Sequence, residues 1–273
     1  MPFVTTQDGT QIHYNDWGSG PPVVLIHGWP LNADMWEYQS VYLANNGYRV
    51  ITYDRRGFGR SSQPWNGYDY DTLAADLAAV LEKLDLTGVS LVGFSMGGGE
   101  VARYIGTHGT ARIARAALIA AVTPYLLKDA SNEGGVDREV FTGIMDGITH
   151  DRPGFLANFG KHFYGAGLLN FAVGSDFLAW SQGLAMLASP RATLQCVRAF
   201  SETDFRADLA KFTIPTLIIH GDADATVPLS VSAEKAAALV PHAELKVYGG
   251  APHGLFYTER DRLNGDLLAF LQS

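Results

Sequence analysis

The chain has 273 residues, is 47% hydrophobic and carries a formal net charge of -8. That length and apolar content fit one large α/β domain with room for an inserted subdomain. The negative balance, with no local run of Lys or Arg, excludes nucleic acid as a partner. The single cysteine, Cys196, excludes an internal disulfide and reads as a packed small hydrophobe on a helix. The N-terminus lacks a basic stretch followed by an apolar one, so no signal peptide is expected. The most apolar stretch, 114–127, contains Arg115 and Pro124 and is too short to span a bilayer. The expectation is a soluble cytoplasmic protein without membrane contact.

In chain order, residues 3–6 and 11–14 flank Asp8-Gly9 and predict an opening hairpin. Residues 23–26 form an unbroken Val/Leu/Ile run, as expected of a central strand covered on both faces. A helix is predicted over 35–46, ended by Gly47, and a strand over 48–53. The polar, glycine-rich turn Asp54-Arg55-Arg56-Gly57-Phe58-Gly59-Arg60-Ser61 follows. Leu73, Leu77, Val80, Leu81 and Leu84 recur at helical spacing within 72–84. A buried strand over 89–92 then runs into Gly93-Phe94-Ser95-Met96-Gly97 and a helix to about His108, with a further strand over 116–122.

Strand alternating with helix implies a mostly parallel sheet flanked by helices. The rhythm changes after Pro124. Helices are predicted over 136–149, 153–163, 175–187 and 191–202, rich in Phe, Leu, Met and Trp, with no convincing buried strand. The sheet resumes at 216–221 and 244–248, and a helix over 262–271 closes the chain. The expected organisation is a core of 1–124 and 213–273 with an all-helical cap, 125–212, inserted between them.

Gly-x-Ser-x-Gly between a strand and a helix places a serine on a strained turn, its hydroxyl exposed at the sheet edge. The helix beginning at Met96 points its amides at the same spot, which suits a developing negative charge. By itself the motif also fits an ordinary glycine-rich turn. Catalysis needs an acid and a histidine later in the chain. Asp222 and Asp224 lie just beyond the strand 216–221, and His253 lies in the glycine-rich loop beyond 244–248. The order Ser95, Asp, His is that of α/β-hydrolases, and all three positions fall at one edge of a parallel sheet.

The chain resembles the α/β-hydrolase superfamily, and within it the cofactor-free haloperoxidase, arylesterase and perhydrolase group. The likeness is carried by His27-Gly28-Trp29-Pro30, by Tyr53 with the turn 54–61, by Gly93-Phe94-Ser95-Met96-Gly97-Gly98 and by Ala251-Pro252-His253-Gly254. The resemblance implies the α/β-hydrolase fold and a triad of Ser95, Asp224 and His253, leaving Asp222 to cap its turn. It implies carboxylic-ester hydrolysis through an acyl-enzyme. The residue types supply the mechanism. His253 takes the Ser95 proton, Asp224 orients the imidazole, and the amides of Met96 and Trp29 bind the oxyanion. Pro30 has no N–H to donate, which leaves Trp29 as the donor in its loop.

The resembling perhydrolases also accept hydrogen peroxide in place of water, helped by a carbonyl in this loop. Pro30 restricts Trp29 and so aims its carbonyl; stiffening the turn is the other role open to Pro30. Leu126, Ile144, Phe163 and Val227 are candidates for an apolar pocket with Pro30, as are Phe141, Phe159 and Trp180. His27 and His220 read as buried histidines bonded to backbone, and Asp54, Arg55 and Arg56 as stabilisers of their turn. No metal-ligand spacing and no dinucleotide or phosphate loop is present, so neither metal nor cofactor is expected. The expected partners are a small ester or acid, hydrogen peroxide, and further copies of the chain in a homo-oligomer. The rival readings are a lactamase or amidase using the same triad, and a non-catalytic binding protein of the same fold. A dehalogenase would need an aspartate where Ser95 stands.

Overall fold

A computed structural model describes residues 2–166 and 173–273. Its eight strands are β1 (Phe3–Thr5), β2 (Gln11–Gly18), β3 (Pro22–Ile26), β4 (Arg49–Tyr53), β5 (Val89–Phe94), β6 (Ile113–Ile119), β7 (Thr216–Gly221) and β8 (Glu244–Tyr248). They form one sheet in the order β1-β2-β4-β3-β5-β6-β7-β8. β1 and β2 pair antiparallel, and β2 pairs antiparallel with β4. From β4 to β8 every pairing is parallel.

The unbroken apolar runs follow from this placement. β5 and β7 are buried along their whole length, as is β3 after Pro22, because helices cover both faces. Alternate residues feed opposite cores. Val24 and Ile26 pack toward α2 (Tyr70–Lys83) and α3 (Met96–His108). Val23 and Leu25 pack toward α1 (Glu37–Asn45) and the last helix, α10 (Arg260–Gln272). Asp69 caps α2 by accepting from the Thr72 amide at 2.9 Å.

Between β6 and β7 lie α4 (Arg138–Phe163), α5 (Ser175–Met186), α6 (Pro190–Glu202) and the short α7 (Arg206–Leu209), with no strand among the described residues. α4 joins the two helices predicted over 136–149 and 153–163 across a break at Asp151, whose dihedrals are φ -151° and ψ 84°. Asp151 restarts the helix by accepting from the Gly154 amide at 3.0 Å, and Pro153 sits in the first turn, where a missing N–H costs little. Ser189 caps α6 in the same way through the Ala192 amide.

The strand predicted over 116–122 ends at Ile119, because Ala120 has a positive φ of 44° that no strand can carry. The second hairpin strand runs on to Gly18. Three short helices were not predicted: α7, α8 (Ala233–Leu239) and α9 (Leu255–Thr258). Seven residues or fewer give too little periodicity to detect. No helix among the described residues is long and apolar enough to cross a membrane.

Candidate active site

Ser95 joins β5 to α3 with φ 53° and ψ -118°, a conformation that is strained for a residue with a side chain. Three backbone bonds hold it there. Its amide donates to the Ile119 carbonyl at 2.8 Å, and its carbonyl accepts from the amides of Gly98 at 3.0 Å and Val122 at 3.2 Å. The flanking glycines are set by space. A Cβ on Gly93 would lie 2.4 Å from the Gly97 carbonyl oxygen, and one on Gly97 would lie 2.4 Å from that of Ile26. Helix α3 can therefore start directly against the end of β3.

Parallel strands bring the other two residues to the same edge. Beyond β8, His253 places Nε2 2.9 Å from the Ser95 Oγ. Its Nδ1 lies 2.6 Å from Asp224 Oδ2, in the loop beyond β7. All three side chains are buried. Asp224 Oδ1 accepts from the amides of Thr226 at 2.9 Å and Val227 at 2.8 Å, so both carboxylate oxygens are committed. Burial alone raises a carboxyl, but the His253 imidazole, its hydrogen bond and the neighbouring His220 prevail and hold Asp224 well below the usual carboxylate range. Asp222 points elsewhere. Its Oδ1 accepts from the Gly250 amide at 2.6 Å, which ties the acid-bearing loop to the loop that carries His253.

Facing Ser95 is the loop after β3. Gly28 packs so closely that a Cβ would lie 2.6 Å from the Phe94 ring and 3.0 Å from the Ser95 Cβ. Trp29 follows, joined to Pro30 by a cis peptide bond. Its indole donates to the Thr193 carbonyl of α6 at 3.0 Å and packs edge-on against Phe159 and Phe200. The main-chain amides of Trp29 and Met96 donate to no protein acceptor among the described residues.

A buried ion pair lies beneath this loop. Arg55 pairs with Glu100 of α3, donates from Nη2 to the His27 carbonyl at 2.6 Å, and its amide donates to His27 Nε2 at 2.9 Å. Tyr53 also donates to Glu100, at 2.5 Å. Burial and the neighbouring Arg55 guanidinium push the His27 imidazole down from 6.5 to about 3. His27 and Arg55 thus do more than brace their own turns: they fix the Trp29 loop to the helix behind Ser95. Asp54 accepts from the Ala33 and Arg60 amides, and Arg56 pairs with Asp76 and Asp8.

Ser95 and His253 open into a pocket with about 490 Å³ of empty volume, enclosed mainly by apolar side chains. Leu126, Ile144 and Val227 line it, with Trp29, Phe141 and Phe159. Pro30 and Phe163 do not. They line a neighbouring, tighter cavity that shares Phe159 with the first. Phe163 instead buttresses His253 from the side, ring edge to face at 4.8 Å. The reason is the course of α4, which carries Phe159 over the pocket and Phe163, one turn later, past the histidine. Trp180 lines neither cavity and packs on Phe177. Phe200 and Val136 belong to the pocket wall but carry no sequence signal beyond apolar character. The described residues contain no cluster of three His, Cys, Asp or Glu side chains arranged to hold a metal. Cys196 is buried, and burial pushes its thiol up to about 12.

Residues 21–168 and 179–260 match the alpha/beta hydrolase fold family. A non-heme haloperoxidase of Rhodococcus erythropolis is 47% identical over 100% of both chains. A bifunctional esterase/perhydrolase of Acinetobacter calcoaceticus is 41% identical, again over 100% of each. The crystal structure of a bromoperoxidase from Bacillus anthracis superposes with a TM-score of 0.96 at 50% identity, covering 100% of this chain and 99% of that one. A serine turn, an aspartate and a histidine at one edge of a mostly parallel sheet agree with those matches, and the chain belongs to the α/β-hydrolase fold family, in its non-heme haloperoxidase group.

Proposed function

We propose that this protein is a serine hydrolase of small carboxylic esters, including aryl esters, and that its acyl-enzyme also reacts with hydrogen peroxide to give peracids. One observation carries the reading: His253 bridges Ser95 Oγ at 2.9 Å and Asp224 Oδ2 at 2.6 Å on the floor of an apolar pocket. Ser95 Oγ attacks the acyl carbon while its proton passes to His253 Nε2. Asp224, held as a carboxylate, keeps the imidazole's other proton on Nδ1 and stabilises the imidazolium. The free amides of Met96 and Trp29 supply the oxyanion donors. His253 then returns the proton to the departing alkoxide or phenolate, leaving the acyl group on Ser95.

The second half repeats the first with a new nucleophile. Water gives the acid; hydrogen peroxide, losing one proton to His253, gives the peracid and frees Ser95. A peracid oxidises halide on its own, yielding hypohalous acid and the parent acid, so peroxide transfer at Ser95 is compatible with the haloperoxidase names of the relatives. Pro30 does not face the pocket, so its part in choosing peroxide runs through the Trp29 carbonyl. Residues 125–212 act as a helical cap that supplies most of the pocket wall. Cytoplasmic residence and assembly into a homo-oligomer complete the proposal, the latter testable by sedimentation.

The test mixes the protein with an aryl acetate and with a serine-directed phosphonate, reading phenolate release and adduct mass. Turnover with one adduct on Ser95 is expected; neither turnover nor adduct would sink the hydrolase reading. A panel with and without hydrogen peroxide ranks perhydrolysis against hydrolysis. Pro30→Leu should change that ratio, and an unchanged ratio removes Pro30 from the choice. A bicyclic lactam in the panel tests for lactamase activity.

A further inference from the structure

The triad acid has a second imidazole beside it. His220, at the end of β7, is fully buried, and its Nε2 lies 2.8 Å from the Val227 carbonyl oxygen and 3.2 Å from Asp224 Oδ2. A carbonyl can only accept, so the His220 proton sits on Nε2 and is donated to Val227, with Asp224 Oδ2 beside the same N–H. The oxygen it approaches is the one that receives His253 Nδ1 at 2.6 Å. Val227 closes the arrangement, because its own amide donates to the other carboxylate oxygen, Oδ1, at 2.8 Å. His220 therefore bears on the acid twice: its Nε2–H lies against Oδ2, and it holds the carbonyl of Val227, whose amide donates to Oδ1.

We propose that His220 is a positioning residue for the triad acid, holding Asp224 Oδ2 in line with His253 Nδ1 and limiting the pull of that oxygen on the imidazole. This rests on the hydrolase reading above. The positive end of the Nε2–H dipole, with Nε2 3.2 Å from Oδ2, draws on carboxylate electron density, so it weakens the bond from His253 Nδ1–H and stabilises the imidazolium less. Removing it should favour the imidazolium and move the acid limb of activity upward. The polar and titratable groups around the pair are few. His220 faces Asp224, the Val227 carbonyl and, at 3.5 Å, Ser232 Oγ. His253 faces Asp224 and Ser95, with the apolar rings of Phe94 and Phe163 on its sides. His220 Nδ1 has no partner among the described residues, so one ring nitrogen makes every polar contact.

The experiment compares wild type, His220→Leu and His220→Gln, whose amide can restore a donor at nearly the same place. The readouts are the pH profile of kcat/KM on an aryl acetate, the thermal midpoint, and an NMR titration of the His253 ring nitrogens. In His220→Leu the acid limb and the His253 titration should both move up by roughly half to one pH unit. Its kcat should fall about ten-fold with KM little changed, because Asp224 without His220 no longer holds the imidazole in line with Ser95, a misplacement that outweighs the easier protonation. His220→Gln should keep the wild-type limb. A lower thermal midpoint in His220→Leu with both titrations unmoved would show a purely structural histidine and overturn the proposal. Should the wild type fail to turn over ester or form the Ser95 adduct, the hydrolase reading falls, while the NMR titration still decides whether His220 governs the Asp224–His253 pair.

Discussion

The pocket has two halves built on different principles. The half at the sheet edge consists of loops after β3, β5, β7 and β8, and each is locked by backbone hydrogen bonds and short carboxylate contacts. Ser95 alone has three main-chain bonds, and Asp224 accepts from two amides and an imidazole. The other half comes from α4, α6 and the segment after β6. It meets the pocket with Leu126, Phe141, Ile144, Phe159 and Phe200, held by ring-on-ring packing more than by directed bonds. Directed bonds fix atoms to tenths of an ångström and suit bond-making; apolar walls set size and shape and can be recut. The difference teaches where reaction and selection are separately encoded.

Four changes would break or sharpen that contrast. Ser95→Ala should lower kcat by about 10⁴-fold or more while leaving the thermal midpoint within a few degrees of wild type. Retained turnover on an aryl ester would move the chemistry off the sheet edge. Next in size is Glu100→Ala, which strands the buried Arg55 guanidinium beneath the Trp29 loop. It should cost about 3–5 kcal/mol in urea unfolding, and a cost under roughly 1 kcal/mol would mean that the loops are held by other bonds.

The third change is pH. The His27 imidazole stands near 3 in the fold against 6.5 when exposed, so between those values the unfolded chain binds the extra proton. Stability must then rise with pH across that window, and is lost on acidification, by roughly 1 kcal/mol per unit from this group. The depressed Asp224 carboxyl adds a loss at lower pH, as the medium falls below the ordinary carboxylate value of 3.8. His27→Gln, which keeps an acceptor for the Arg55 amide, should flatten unfolding curves between about pH 6 and 4; equal slopes in both proteins would contradict the assignment. The smallest effect belongs to the helical half. Ile144→Ala should shift acyl-chain preference toward longer esters by about ten-fold in kcat/KM ratio, with the pH profile unchanged. A change in the pH profile instead would mean that the wall reaches the triad.

The candidate site divides along the same line in how far it could be read. The meeting of Ser95, Asp224 and His253 at one sheet edge was legible because each sits in a short motif beyond a strand whose apolar run is unmistakable. Even the choice of Asp224 over Asp222 followed once the family likeness was drawn, and Asp222 proved to brace the histidine loop instead. His220 was read as a backbone-bonded histidine, which it is, through Val227; its approach to Asp224 depends on the loop 222–227 folding back, and no local pattern encodes that. Pro30 and Phe163 were placed in the pocket, but both line the cavity beyond Phe159, Phe163 because α4 carries it one turn further along.

Residue spacing alone was enough for the parallel sheet, the order of strand and helix, and the loops that carry Ser95, Asp224 and His253. Those depend on short-range causes: residues that suit a doubly covered strand, helical periodicity, and glycines where a Cβ would collide. Which aromatic rings face Ser95, which cavity Pro30 borders, and the second imidazole beside Asp224 emerge only in the folded chain. Those depend on where a bent helix and a returning loop come to rest against the sheet. That is set by packing across long stretches of chain, which residue spacing does not record.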